Sequence, residues 1–157
     1  MAKQQQRRSL TEMSAGRNSA APSTAEERKQ DARRTGMQGG KQPGPDHPIT
    51  LEPTNSKVIV RIGSTIVAES SDALLLRETS HQPVFYIPRS DVMMDCLKRS
   101  ATRTHCPYKG DASYFSVDGG TKDIAWSYVD PFDHMNAIKA YLAFYPDRVD
   151  AIETVPM

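Results

Sequence analysis

The stretch KVIVRIGSTIVAES, residues 57–70, predicts the first pair of strands in this chain. Val58, Val60 and Ile62 alternate with Lys57 and Arg61, as side chains do in a strand that buries one face. Gly63 and Ser64 separate this run from the apolar residues of TIVAE, and a two-residue break of this kind is typical of a β-hairpin. The stretch therefore indicates antiparallel sheet.

The segments that follow extend this pattern toward the C-terminus. SSDALLLRE (70–78) fits either a strand or one helical turn, and PVFYIP (83–88) is a short strand between two prolines. RSDVMMDCLKRS (89–100) has the apolar spacing of a short helix, with Ser90 as its cap. Near the end we expect a helical turn from Asp133, a strand at Tyr141–Phe144 and a last strand in DRVDAIETV (147–155).

Gly119 and Gly120 predict a second hairpin. With these glycines as a two-residue turn, Phe115 opposes Ile124 and Ser113 opposes Trp126. One face of the hairpin then carries the large apolar side chains Phe115, Val117, Ile124, Trp126 and Tyr128. A slip of one residue would scatter this set over both faces, so the pattern favours this register.

These elements predict a β-rich domain, all-β to α+β, over residues 46–157. It consists of compact antiparallel sheets with one or two short helices. Strands and helices do not alternate along the sequence, which disfavours a doubly wound nucleotide-binding fold.

Residues 1–45 differ in composition from the rest of the chain. They hold 9 Lys and Arg against 4 Asp and Glu and have no Phe, Tyr, Trp, Val or Ile, whereas residues 46–157 hold 11 against 15. Such a segment has little to bury, and we expect a disordered basic tail. A solubilising extension is the favoured interpretation, and weak contacts with nucleic acid or an acidic partner are the alternative.

The chain shows no sign of a membrane or secretory segment. No run reaches the roughly 18 apolar residues of a membrane span, and the N-terminus has no apolar core of a signal peptide. Two cysteines, Cys96 and Cys106, are too few for a disulfide framework or a thiolate zinc site. We expect a reduced, cytoplasmic setting and no membrane partner.

TRTHCPYKGDASYF, residues 102–115, contains the strongest candidate site. Pro107 and Gly110 suit a tight turn that leads into a strand, with Cys106 as a small buried residue. The same turn also places Lys109 near Cys106, where the thiol is a candidate nucleophile and the lysine a candidate phosphate ligand or nucleophile. The residues leave both interpretations open.

Other candidates carry weaker signals. His81, His105 and His134 with Cys106 lack the spacing of metal ligands, so no metal and no cofactor is predicted. Trp126 in AWSYVDP suits a ligand platform, although a single tryptophan in a strand is more often part of the core. His47 lies in a proline-rich linker and receives no role.

Five motifs in order resemble the bacterial family known as domain of unknown function 427, which is also filed under a nucleotidyltransferase heading. They are VRIGSTIVAESSDALLLRE, PVFYIPRSDVMMDCL, THCPYKGDASYFSV, AWSYVDP and AYLAFYPDRVDAI, and they cover about residues 46–155. The resemblance implies a fold similar to the β-tent of methionine sulfoxide reductase B. Zinc-binding relatives of that architecture use two CxxC pairs, which this chain lacks.

The resemblance also implies which residues form a site. The chain matches the family pattern at Glu78, Tyr86, Pro88, Asp91, Cys106, Pro107, Lys109, Gly110, Tyr114, Trp126, Tyr128 and Pro131. From this set we predict Cys106 and Lys109 as catalytic residues. The predicted ligand-binding residues are Glu78, Tyr86, Tyr114, Trp126 and Tyr128 from this set, together with Arg89, which flanks PVFYIP and suits either a cleft or a solvated sheet edge.

Two classes of function follow from these residues. The first is group transfer of the nucleotidyltransferase type, with a covalent adduct on Lys109 or Cys106. The second is a non-catalytic module that binds a small anionic or nucleotide-like ligand, with the aromatic residues as walls and Lys109 as anchor. Paired carboxylates at metal-site spacing, which metal-assisted phosphoryl transfer commonly uses, are not evident in the sequence. In both classes the expected partner is a small molecule, and molecules that carry a phosphate group are among the candidates.

Overall fold

The computed structural model describes residues 40–157, so most of the predicted basic tail (residues 1–39) lies outside the described residues. The described part is β-rich, as predicted, and its strands form three antiparallel sheets. The strands are β1 (Ile49–Pro53), β2 (Ser56–Ile62), β3 (Thr65–Ser70), β4 (Leu74–Glu78), β5 (Val84–Tyr86), β6 (Leu97–Cys106), β7 (Gly110–Val117), β8 (Ala125–Ser127), β9 (Leu142–Phe144) and β10 (Ala151–Pro156). Short 3-10 turns cover Arg89–Asp91, Met94–Cys96 and Asp133–Ile138.

The central sheet has four strands in the order β9-β8-β7-β6. A second sheet has the order β10-β2-β3, and a third has the order β1-β4-β5. Reciprocal backbone hydrogen bonds between Ile87 and Leu142, with N···O distances of 2.7 and 2.8 Å, connect the end of β5 to β9. The third sheet is thereby joined to the central one.

The hairpin predicted at residues 57–70 is confirmed. Strands β2 and β3 pair with Ile62 opposite Thr65, so Gly63 and Ser64 form the two-residue turn. Gly63 has φ +60, the left-handed conformation that glycine adopts without steric cost. The ambiguous segment 70–78 contains strand β4, and the short strands expected in PVFYIP and near Phe144 are present as β5 and β9.

The register predicted for the second hairpin is wrong by one residue. Ser113 pairs with Ser127, Tyr114 with Trp126 and Phe115 with Ala125. The connection is longer than a two-residue turn: the Val117 N–H donates to the Thr121 carbonyl, and Asp123 takes φ +49 before the strand resumes. This irregular residue shifts the pairing, so Trp126 and Phe115 lie on opposite faces of the sheet.

The helix predicted over residues 89–100 is also wrong. Val92 is extended (φ −112, ψ 136) and separates two 3-10 turns, and strand β6 begins at Leu97. Pro88, and not Ser90, is the N-cap residue of the first 3-10 turn, which has no side-chain capping hydrogen bond. The Met93 N–H donates to the Val67 carbonyl at 2.8 Å, and Val92 is buried in the core. Pairing with the edge of β3 and burial of Val92 thus replace the helical hydrogen bonds.

Each face of the central sheet packs against a core. We call the two faces the Phe115 face and the Tyr114 face, because these neighbours on β7 point to opposite sides. The Phe115 face packs against the sheet β10-β2-β3 in a core that includes Val58, Val60 and Leu142. The Tyr114 face packs against β4, β5 and the turn 133–138, in a second core. The candidate site lies at the edge of this second core.

Within residues 40–157 no helix has the length and apolar character that a membrane crossing requires. The likeness to the β-tent architecture remains a prediction.

Candidate functional site

The turn CPYKG joins strands β6 and β7, with Cys106 paired to Gly110 across it. The Lys109 N–H donates to the Cys106 carbonyl at 3.2 Å, which closes the turn. Gly110 has φ +114, and a Cβ there would lie 3.5 Å from the Pro131 Cα. Glycine is needed at this position because other residues rarely adopt that φ. The stretch is thus a tight turn, and the same turn brings the two predicted catalytic side chains together.

Lys109 is a buried cation in an ion pair with Glu78. Its Nζ lies 2.5 Å from Glu78 Oε1, and the two side chains are only 7% and 6% exposed. The same Nζ lies 3.7 Å from Cys106 Sγ. Cys106 is half-buried and unbonded to other cysteines. A thiol, an ammonium group and a carboxylate therefore meet at the end of strands β4 and β6.

His47 extends this group toward the surface. Its Nε2 lies 2.7 Å from Glu78 Oε2, and its side chain is 25% exposed. The imidazole stacks on the Tyr108 ring, with centroids 4.1 Å apart and planes 7° from parallel. The Lys41 N–H donates to the Pro107 carbonyl at 2.8 Å, so the segment before β1 lies against the CPYKG turn. Sequence reasoning missed His47, because its partner Glu78 is 31 residues away and no local pattern connects them.

The pKa of Glu78 is lowered by its two partners. Burial acts in the opposite direction and raises the pKa of this carboxyl, but the hydrogen bonds from Lys109 and His47 and the positive charge of Lys109 together outweigh it. Glu78 is therefore held ionised, and the carboxylate and ammonium compensate each other's charge in the buried site.

We expect acid to destabilise the protein through Glu78. Because its pKa is lower in the folded state, its contribution to stability is present above its ordinary pKa of 4.5 and is lost as the pH falls through the folded value. Urea unfolding measured from neutral to acidic pH should show a shallower acid-side decline for Glu78→Gln than for the parent chain. The pKa of Asp123 is lowered by hydrogen bonds from Ser100 and Thr102, and its contribution is common to both proteins. If stability falls equally steeply with pH in the parent chain and in Glu78→Gln, Glu78 does not cause the acid destabilisation.

Aromatic side chains on the Tyr114 face form part of the second core, against which Cys106 also packs. Trp126 Nε1 donates to Tyr86 Oη at 3.2 Å, and the Trp126 ring lies 4.5 Å from that of Tyr145. Burial raises the pKa of Tyr86 and of Tyr128 well above the usual tyrosine range. Burial is also the main cause that raises the pKa of Tyr145, to about 12. These hydroxyls are neutral, and Tyr145 was not among the predicted residues.

The aromatic residues are packed more tightly than open ligand walls. Tyr86, Tyr114 and Tyr128 are at most 8% exposed, whereas Trp126 and Tyr145 are half-buried. The four aromatic residues among the predicted ligand-binding residues thus divide into three buried tyrosines and one half-buried indole.

Arg89 does not join this group. Its guanidinium lies 5.5 Å from the Phe115 ring centroid, on the opposite face of the central sheet from Tyr114. His105 Nδ1 lies 2.7 Å from Asp111 Oδ1, and His134 Nε2 lies 2.6 Å from the Tyr108 carbonyl. In the part of the chain from residue 40 onward, no three His, Cys, Asp or Glu side chains are grouped to hold a metal ion.

Residues 50–155 match the family model described as "Domain of unknown function (DUF427)", which carries the name NTP_transf_9. No curated protein matches the chain.

Proposed function

The chain belongs to the DUF427 family, and from that premise we propose that it is a group-transfer enzyme with Cys106 Sγ as its covalent nucleophile. The observation that carries this proposal is the ammonium of Lys109, 3.7 Å from the thiol and buried against Glu78. Burying an ion pair is costly, and an arrangement of charges around a nucleophile is a common use of such a pair. The nucleotidyltransferase heading of the family supports a nucleotidyl group as the group transferred.

The ion pair between Lys109 and Glu78 determines which residue acts as the nucleophile. Lys109 is engaged as an ammonium by Glu78, so its nitrogen has no free electron pair, and the nucleophilic role passes from Lys109 to Cys106. The positive charge of Lys109 stabilises negative charge on the sulfur and on an anionic substrate. Glu78 and His47 position Lys109, because Glu78 accepts a hydrogen bond from each.

The proposed reaction has two balanced steps. In the first, Sγ forms a bond to the electrophilic centre of the substrate, the bond to the leaving group breaks, and the thiol proton passes to the leaving group. In the second, an acceptor hydroxyl or amine forms a bond to the transferred group, the sulfur bond breaks, and the acceptor's proton returns to sulfur.

Alkylation with N-ethylmaleimide tests the nucleophile. Cys106 and Cys96 are both half-buried free thiols, so Cys96 is an internal control. At neutral pH we expect Cys106 to be modified about tenfold faster or more, because Lys109 stabilises negative charge on its sulfur. Peptide mass spectrometry follows the two sites, and the chain unfolded in urea should show similar rates at both. A Cys106 that reacts no faster than Cys96 in the folded chain would contradict the proposal.

A non-catalytic binding module is the second candidate, and the half-buried Trp126 favours it. This indole packs against the same core as Cys106 and offers a partly accessible surface on which the base of a nucleotide-like ligand stacks. An inert Cys106 together with a rise in melting temperature on addition of nucleotides would support this candidate over the enzyme.

A further inference from the structure

A cleft lies on the Phe115 face of the central sheet, away from Cys106. It has a volume of about 450 Å³. Its lining includes Arg89, Met94, Leu97, Arg99, Phe115 and Val129. This volume lies within the range of small-molecule sites, roughly 300–1,000 Å³.

The cleft has a positive charge that nearby side chains do not neutralise. Arg89 lies over the Phe115 ring, and Arg99 Nη2 donates to Ser113 Oγ at 2.8 Å. Neither guanidinium pairs with an acidic side chain within residues 40–157, and no acidic residue lines the cleft. Each guanidinium has several N–H donors in a planar fork, so donors remain for a ligand.

The rest of the lining is apolar. Met94 and Leu97 are half-buried, Phe115 is buried, and Val129 is 39% exposed, which is unusual for a large apolar side chain here. Two arginines beside an apolar surface fit an amphipathic anion, whose charged group pairs with a guanidinium while its apolar body covers the exposed side chains.

A strained residue also lines this cleft. Ala140 has φ +63, a left-handed conformation that costs a residue with a Cβ about 1 kcal/mol or more. Its N–H donates to the Tyr128 carbonyl at 2.9 Å, which holds the strained backbone beside Val129. Strain of this kind occurs preferentially at ligand sites.

We propose that this cleft binds a small organic carboxylate with an aromatic or apolar body, held by Arg89 and Arg99. The site lies on the opposite face of the sheet from Cys106 and does not rest on the proposed group transfer. Its ligand is therefore a second small molecule, distinct from the substrate at Cys106.

NMR titration of the full ¹⁵N-labelled chain with 2-naphthoate tests the proposal. We expect shifts in the amide signals of Leu97, Phe115, Val129 and Ala140, and little change at Lys109. The neutral isostere 2-naphthamide should bind about tenfold more weakly or worse, because it cannot form the charge-assisted pair. Absence of shifts at the cleft, or equal binding of naphthamide, would overturn the proposal.

Substitutions of single arginines test which side chains bind the carboxylate of the ligand. Arg89→Gln and Arg99→Gln should each raise the dissociation constant for naphthoate by about tenfold. Arg77→Gln is the matched control, since Arg77 is 56% exposed and pairs with Glu52 on another sheet. Equal weakening in all three variants, or none in the two cleft variants, would overturn the proposal. If a cleft variant does not fold, the comparison of naphthoate with naphthamide on the parent chain still tests whether the cleft binds the carboxylate.

Discussion

Replacing Lys109 by methionine is expected to destabilise the fold by about 3–5 kcal/mol, the usual cost of removing one partner from a buried ion pair. The stem of the side chain survives, but Glu78 remains with its side chain 6% exposed and without its ammonium partner. Urea unfolding at neutral pH measures the change in the free energy of unfolding.

The double variant Lys109→Met with Glu78→Leu is the control. It removes both charges and replaces them with apolar side chains, and such replacements are often neutral or stabilising. We expect the double variant to recover most of the stability that Lys109→Met loses. A single-variant loss below about 1 kcal/mol would show that the pair is solvated as a surface pair is. A double variant no more stable than the single one would show that packing, and not charge, accounts for the loss.

Replacing Trp126 by alanine should cost about 3 kcal/mol, the lower end of the range for large aromatic residues, because this side chain is half-buried. The variant loses contact with Tyr145, 4.5 Å away, and leaves the buried Tyr86 hydroxyl without its donor. Thermal and urea unfolding, followed by circular dichroism, measure the change in the free energy of unfolding.

Two further substitutions separate the contributions. Trp126→Phe keeps an aromatic ring and removes the Nε1–H donor, so it should cost about 1 kcal/mol, the worth of one hydrogen bond. Met93→Ala changes a side chain that is 52% exposed and should alter stability by less than about 0.5 kcal/mol. If Trp126→Ala costs no more than Met93→Ala, the indole contributes little to the core and is free to serve a ligand.

The candidate site was only partly predictable. Cys106 and Lys109 are three residues apart on a turn set by Pro107 and Gly110, so their proximity follows from local geometry. The partner of Lys109 did not follow: Glu78 matched the family pattern, but its contact with Lys109 spans 31 residues of sequence. Arg89, predicted as a ligand-binding residue of this site, lies over the Phe115 ring on the opposite face of the central sheet.

Local physics accounts for what could be predicted of the fold. Alternating side chains and Gly63 specify the hairpin β2–β3 within a few residues, and the prediction there is confirmed. The same reasoning failed at the second hairpin, because Asp123 adopts a positive φ that nothing in the glycine pair indicates. Since one residue of register exchanges the faces of a strand, that local error moved Trp126 to the wrong face.

Periodicity and turn chemistry in this chain are sufficient for a β-rich domain, for its first hairpin and for a turn that carries Cys106 beside Lys109. Tertiary packing adds the charge of the site, because Glu78 reaches Lys109, and His47 reaches Glu78, only when β4 lies beside the CPYKG turn. Packing also turned the expected helix near Val92 into extended chain, since burial against β3 outweighs the weak helix propensity of so short a segment. Strand character depends on neighbours along the chain, whereas charge compensation and face assignment depend on residues that are distant in sequence and meet only in the folded protein.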